Sequence, residues 1–509
     1  MDSRTLNSKR NIVAGVLGRC LIPVFALVVN SAIVRYLSVE YIGMIGTFAS
    51  VLQVLNLAEL GFSTSMIVNL YRPLKENDTA GVCGILEYFK HVYRIMGLVI
   101  FISGMIICPF LKILFKDMGE IRENVYILFF LFLTEKAVSF MLFAHKEALL
   151  NAAQRLDLIQ ITHIAVYVGK SCFQIAAIIF FRNIYIFAVV LILSTYLYHI
   201  SLDILSRKHF PEYYPEGKID EEVKRNVRMQ TAGLSVSNIL GVSRDSLNTI
   251  MISSFLGLHA AGQYSNYCAV YDGVIGFFLV ITKAVMSSIG NSVVSESVEK
   301  NYRNFTKMEF LHNIPVTACT AYMISLYQPF MKLWMGEGLM LADPVMMLFV
   351  LYFYLRAMGE VRNAYFSALG YWWKARWIFL AEALMNVFLM FCLGKYFGMA
   401  GILIAPCITV LTVNYIGVTN LIFKEYFGSD GKEYYYNRII YTMITAVTGF
   451  AAWYSCTLVP YEGVTGLAVR TVVCTVVLLI MVPAFMYILK REYVRESILF
   501  IKQIIGAKR

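Results

Sequence analysis

Val464-Thr-Gly-Leu-Ala-Val-Arg-Thr-Val-Val-Cys-Thr-Val-Val-Leu-Leu-Ile-Met-Val-Pro-Ala-Phe-Met-Tyr-Ile-Leu489 carries Arg470 as its only charged residue. A helix needs about 20 apolar residues to cross the ~30 Å hydrocarbon core of a bilayer, and this stretch exceeds that length. No water reaches backbone N–H and C=O groups in lipid, so a spanning run of this kind must be helical. Comparable runs fill the chain at 11–36, 41–70, 88–111, 124–148, 158–181, 184–205, 229–255, 260–289, 307–333, 344–368, 374–395, 399–423 and 437–459. The reading is an all-α membrane protein with about 14 transmembrane helices. The first run continues past the length of a signal peptide's apolar region and has no small-residue cleavage site, so it is expected to remain as the first helix.

The composition agrees. Of 509 residues, 59% are hydrophobic and 15% charged, against roughly 25% charged in soluble domains. A net charge of +11 does not indicate nucleic acid, because Lys and Arg concentrate in short segments between apolar runs. Alternate segments hold Arg4, Lys9 and Arg10; Arg72, Lys75, Lys90 and Arg94; Lys146 and Arg155; six cations in 206–228; Lys300, Arg303 and Lys307; Lys374 and Arg376; Lys424, Lys432 and Arg438; and the 490–509 tail. The opposite segments hold only Arg35, Lys112, Lys116, Arg122, Arg182, Lys332 and Lys395. By the positive-inside rule this imbalance, roughly four to one, puts both termini in the cytoplasm. Ten scattered cysteines without a CxxC or a Cys/His cluster offer neither a disulfide framework nor a metal site.

Residues 206–228 form the longest polar stretch and divide the chain. Six runs precede it (1–205, an N-lobe) and six follow (229–425, a C-lobe), with two extra helices and a basic tail over 426–509. A short repeat marks the halves. Leu37-Ser-Val-Glu-Tyr-Ile-Gly43 follows the first run and Leu256-Gly-Leu-His-Ala-Ala-Gly262 follows the seventh. Two pseudo-symmetric six-helix lobes with one orientation fit parallel-repeat transporters, whose site lies between the halves.

Eight cations remain inside apolar runs: Arg19, Lys136, Lys170, Arg244, Lys283, Arg356, Arg362 and Arg470. Each costs about 2.5–3.5 kcal/mol at a helix centre, so it faces a cavity or a partner, or snorkels near a helix end, as Arg470 and Arg362 are placed to do. Gln160, His163, Tyr167, Lys170 and Gln174 make one polar stripe at helical spacing. Asp272 and Lys283 share a face, Arg244 adjoins Asp245, Arg356 and Glu360 stand one turn apart, and Glu59 follows Gln53 and Asn56. Such polar groups also serve simply to hold helices together. Taken as a set, the cations suit a hydrated cavity for an anion such as phosphate or pyrophosphate. The substrate-binding candidates are Arg19, Lys170, Arg244, Lys283 and Arg356. Glu59, Asp245, Asp272 and Glu360 are candidates for ion coupling or charge pairing.

Several stretches carry a resemblance: Tyr36-Leu-Ser-Val-Glu-Tyr-Ile-Gly43, Glu59-Leu-Gly-Phe-Ser-Thr-Ser65, Ser243-Arg-Asp-Ser-Leu-Asn-Thr-Ile250, Gly262-Gln-Tyr-Ser-Asn-Tyr267, Leu333-Trp-Met-Gly336 and Arg362-Asn-Ala-Tyr-Phe-Ser-Ala-Leu-Gly370. In their order the chain resembles the Wzx-type polysaccharide flippases of O-antigen and capsule synthesis. These belong to the MOP superfamily, with the MATE exporters and the lipid II flippases. The resemblance implies two lobes working by alternating access in a bacterial cell membrane. It also implies translocation of a polyprenyl-pyrophosphate-linked oligosaccharide from the inner to the outer leaflet, with Arg19, Arg244 and Arg356 as the best-placed pyrophosphate contacts. Implied partners are that glycolipid, membrane lipids and the polysaccharide assembly machinery, with no cofactor. An extra helix pair can form a lipid-tail groove in such flippases.

Two rivals share the helix count. A membrane polymerase or glycosyltransferase would need a substantial outer loop with catalytic Asp, Arg or His, and every outer segment is short. No HExxH occurs, and Gly169-Lys170-Ser171 lacks the first P-loop glycine, Ile164 standing there. A MATE-type ion-coupled exporter of cationic drugs would favour acidic cavity walls over this surplus of cations.

Overall fold

The computed structural model describes residues 2–56, 62–219 and 221–489. Glu59 falls outside them, and the side chains of Asp245 and Lys283 lie outside the description as well. Every regular element described is helical: α1 (Asp2–Tyr36), α2 (Val39–Leu55), α3 (Phe62–Glu76), α4 (Thr79–Ile107), α5 (Val125–Met141), α6 (Ala144–Ala152), α7 (Leu156–Ala176), α8 (Ile184–His209), α9 (Glu221–Leu256), α10 (Leu258–Ser295), α11 (Val298–Met335), α12 (Asp343–Ala357), α13 (Glu360–Ala368), α14 (Arg376–Thr409), α15 (Ile416–Ile422), α16 (Lys432–Thr457) and α17 (Gly463–Leu489).

The outer faces show why these helices suit lipid. On α17, Val472, Val476, Leu479 and Ile480 are exposed at i, i+4, i+7 and i+8, while Cys474, Leu478 and Val482 turn inward. α4 repeats the pattern with exposed Ile95, Leu98, Val99, Ile102 and Ile106. Among the described residues, eight helical stretches are individually long and apolar enough to span, or nine with the α5–α6 pair, which bends by 49°. One of the eight, Arg376–Phe427, holds 52 residues, about 78 Å of helix at 1.5 Å per residue. It breaks at Gly398, where φ is 57°, a left-handed value that favours glycine, and so accounts for two crossings. α11 is more polar, with Glu309, His312, Asn313 and Thr317 along it, and all four are buried. About fourteen crossings are compatible with these helices.

Three predicted runs are interrupted. The run at 41–70 is divided between α2, with Asn56 at its C-cap, and α3. The run at 124–148 bends at Leu142, whose backbone is extended (ψ −171°). The run at 344–368 turns at Met358 and Gly359, so Arg356 lies in the last turn of α12 and Glu360 begins α13. α1, by contrast, continues through Pro23.

The chain forms two compact units, Met1–Ala269 and Val270–Arg509. The first contains both copies of the short repeat, and they touch reciprocally. A Cβ on Gly43 would stand 2.1 Å from the Leu258 carbonyl oxygen, and one on Gly262 would stand 2.2 Å from that of Val39. Gly46 faces Ser265 in the same register, and Glu40 meets His259 through Oε1 and Nδ1 at 2.9 Å, at the 219-residue offset between the copies. Equivalent positions meeting in pairs is the geometry of a local two-fold axis. The segment after α4 seals the same end: Leu258 N–H donates to the Asp117 carbonyl (3.0 Å), and Lys116 N–H to that of Ser253 (3.3 Å).

In the second unit α11, α16 and α17 pack around Phe310, Ala321, Tyr441, Ile444, Ala452 and Cys474.

The helix crossing makes a direct prediction. Gly43→Ala or Gly262→Ala forces a methyl against a backbone carbonyl and should cost about 1–3 kcal/mol or more, read as a lower thermal midpoint in detergent. Gly169→Ala, which meets open space, should hold or raise the midpoint.

Candidate functional site

In the first unit, α1 approaches α7 at Gly18, where a Cβ would lie 3.3 Å from Ile164 and 3.5 Å from Gln160 Oε1. Arg19 is exposed beside this crossing, next to the head of the polar stripe of α7. Further along, the Lys170 ammonium lies 4.2 Å from the centre of the Tyr167 ring, half-buried. The His163 and Tyr198 rings meet edge to face at 5.7 Å. Gln174 is buried and donates to the Phe187 carbonyl at 3.4 Å. The stripe thus begins beside Arg19 and ends in packing against α8. Glu135, on α5, accepts from Thr195 Oγ1 at 2.8 Å and attracts Lys170. Arg244 is half-buried on α9, one turn from Asn248, which donates to the Tyr264 hydroxyl of α10 at 3.3 Å.

In the second unit, Arg356 donates to the Tyr271 hydroxyl at 3.4 Å and lies 5.7 Å from the centre of the Tyr352 ring. The two tyrosine rings stack at 5.5 Å with 14° between their planes. A guanidinium held against an aromatic face stays charged and oriented. Asp272, next to Tyr271, is exposed, whereas Glu360 is buried.

Two other cations occupy different settings from those expected. Arg362 does not snorkel. It is buried, and its guanidinium donates to the Tyr415 carbonyl (3.0 Å), Asn414 (2.8 Å), Asn363 (3.0 Å) and Thr419 (3.3 Å). Asn414 in turn donates to the buried Glu382 at 2.9 Å. Arg438, assigned by sequence to a loop, sits inside α16 in a buried ion pair with Glu309 of α11. An acid and a base inside separate apolar runs were the signal for that pair. Arg470 caps the end of α16, donating to the carbonyls of Cys456 and Val459 at 3.3 Å each.

A cavity of about 970 Å³ opens between α11, α12, α16 and α17. Its walls are mainly apolar, including Ile324, Pro329, Leu333, Met346, Met347, Phe450 and Trp453. Lys332 stands at its rim, paired with Glu337 (2.8 Å) and Glu462 (3.5 Å). Only Arg470 marked this region in the sequence. Among the described residues no cluster of His, Cys, Asp and Glu is placed to hold a metal ion.

No family model matches the sequence, and no curated protein does. Solved structures match well. The lipid II flippase MurJ in an inward closed conformation superposes with a TM-score of 0.69 at 14% identity, covering 94% of this chain and 99% of that one. An inward-facing multidrug resistance MATE family transporter of the MOP superfamily gives 0.61 at 16%, covering 79% and 96%. The Vibrio cholerae MATE transporter VcmN gives 0.57 at 14%, covering 83% and 99%. At these identities the likeness is one of fold, and the chain is a multi-pass membrane protein with the fold of MATE transporters and MurJ.

Truncating Arg438 to Met strands Glu309 in the interior and should cost about 3–5 kcal/mol, seen as loss of monodisperse protein in detergent. The double change Arg438→Met with Glu309→Leu should recover most of that loss.

Proposed function

We propose that the chain is a flippase that moves a polyprenyl-pyrophosphate-linked oligosaccharide from the inner to the outer leaflet of a bacterial cell membrane by alternating access. The observation that carries this reading is the apolar cavity between α11, α12, α16 and α17. Its volume, about 970 Å³, is at the upper limit of ordinary ligand pockets, roughly 300–1,000 Å³. Its wall of Met, Phe, Trp and Leu suits an isoprenoid chain. The end-to-end match to a lipid II flippase, against about four-fifths of the chain for MATE transporters, supports the same choice over a drug exporter.

In this reading Arg19, Lys170, Arg244, Lys283 and Arg356 receive the pyrophosphate. Arginine forks give a diphosphate paired, charge-assisted hydrogen bonds, and cations inside a membrane segment commonly mark a substrate pathway. Glu59, Asp245, Asp272 and Glu360 offset cation charge or carry a coupling ion. Both termini face the cytoplasm, where the polysaccharide assembly machinery would deliver the glycolipid. The chain acts as a transporter, with no bond made or broken.

Three measurements test this. Reconstituted protein should expose a lipid-linked oligosaccharide to an outer-leaflet probe, and the same glycolipid remaining protected in protein-containing vesicles would overturn the proposal. Arg19→Ala, Arg244→Ala and Arg356→Ala should each lower surface polysaccharide at unchanged protein level. Ala446→Trp, which fills the groove from an exposed position on its wall, should slow flipping of the long-chain glycolipid more than of a short-chain analogue.

A further inference from the structure

A second cavity, about 450 Å³, lies in the first unit beside the polar segment 206–228. Four cations line it, Lys90 and Arg94 of α4, Lys146 of α6 and Arg207 of α8, against one carboxylate, Asp203. None of them belongs to the cation set assigned above to the translocated pyrophosphate.

The pocket is built rather than left over. The α5–α6 junction, which bends by 49°, lines it through Leu142, Phe143 and Lys146, which places the first turn of α6, the positive end of that helix dipole, at its edge. Lys146 is only 3% exposed, and its ammonium donates to the Tyr213 carbonyl at 3.0 Å. That bond anchors the strap from Phe210 to Pro215 across one wall. The Phe210 and Tyr213 rings stack at 6.1 Å, and the Cys83 thiol contacts the Glu212 carbonyl at 3.7 Å. Beyond the strap, a Cβ on Gly84 would meet the Lys218 carbonyl oxygen at 2.6 Å, so the chain is pressed onto the start of α4.

The charges are incompletely matched. Lys90 pairs with Glu87 at 3.1 Å, and Arg207 with Asp203 at 2.9 Å. Asp203 is buried, and its second oxygen has no hydrogen-bond partner. Arg94 makes no hydrogen bond or ion pair with any described residue, and it lines the same pocket. Guanidinium and ammonium donors converging on a recess, with a helix N-terminus beside them, form a phosphate receptor.

We propose that this pocket binds a phosphate group at the membrane surface, separate from the translocation pathway. The group belongs either to an anionic phospholipid headgroup or to a soluble phosphate. The proposal does not rest on the flippase reading, because it involves none of the residues assigned there.

The test uses the full-length purified chain. Phosphatidylglycerol is added to protein in phosphatidylcholine nanodiscs, followed by native mass spectrometry. Inorganic pyrophosphate is titrated in detergent, followed by thermal shift. Retention of phosphatidylglycerol with no response to pyrophosphate assigns the lipid headgroup, and a saturable pyrophosphate response assigns the soluble ligand. In either case Arg94→Gln, an exposed position expected to fold normally, should weaken binding about tenfold. Lys146→Met should weaken it further, and Lys116→Gln, the same charge change in the segment after α4, should not. No binding of either probe, or equal loss in Lys116→Gln and Arg94→Gln, overturns the proposal.

Discussion

A positive charge in a hydrocarbon layer must be matched by a partner or by water, and that requirement organises this molecule. The chain answers it in two ways. Arg362, Arg438 and Arg470 are consumed by structure. The first is bound by carbonyl and amide oxygens, the second by Glu309, and the third by the last carbonyls of α16. Arg19, Lys170 and Arg356 remain at exposed or half-buried positions, the latter two against aromatic faces. A cation over a ring is held in a fixed orientation by the ring's negative face. The first set closes helix contacts, whereas Lys170 and Arg356 lie against aromatic rings.

The repeat crossing supplies the scaffold. At Gly43 and Gly262 two helices approach to a distance that tolerates no side chain. Equivalent residues lie on either side, down to Glu40 against His259. The Asp117 segment is bound beside it, through Leu258 N–H to the Asp117 carbonyl.

Helix positions were legible in the sequence because apolar length and the lack of charge dictate them directly. The run at 464–489 corresponds to α17 almost residue for residue. Breaks within runs were not. Leu142 adopts an extended backbone with no Pro or Gly to announce it, since tertiary packing decides that bend. The fate of each cation was half legible. Residence in an apolar run showed that a partner was needed, but not which one. Arg438 was read as a loop residue because it lies one residue into its run, and its pairing with Glu309 depends on how α11 and α16 pack. The groove between α11, α12, α16 and α17 left almost no sequence signal, because an apolar wall facing a cavity reads the same as one facing lipid.

The proposed flippase would recognise its lipid through two features at once, a diphosphate and a long apolar chain. The most direct measurement is native mass spectrometry of the purified chain with polyprenyl pyrophosphate in competition with the uncharged polyprenol of equal length. The account predicts retention of the pyrophosphate form alone, released on replacing Arg19 and Arg356 together. Equal retention of the polyprenol, or retention of neither, would contradict it.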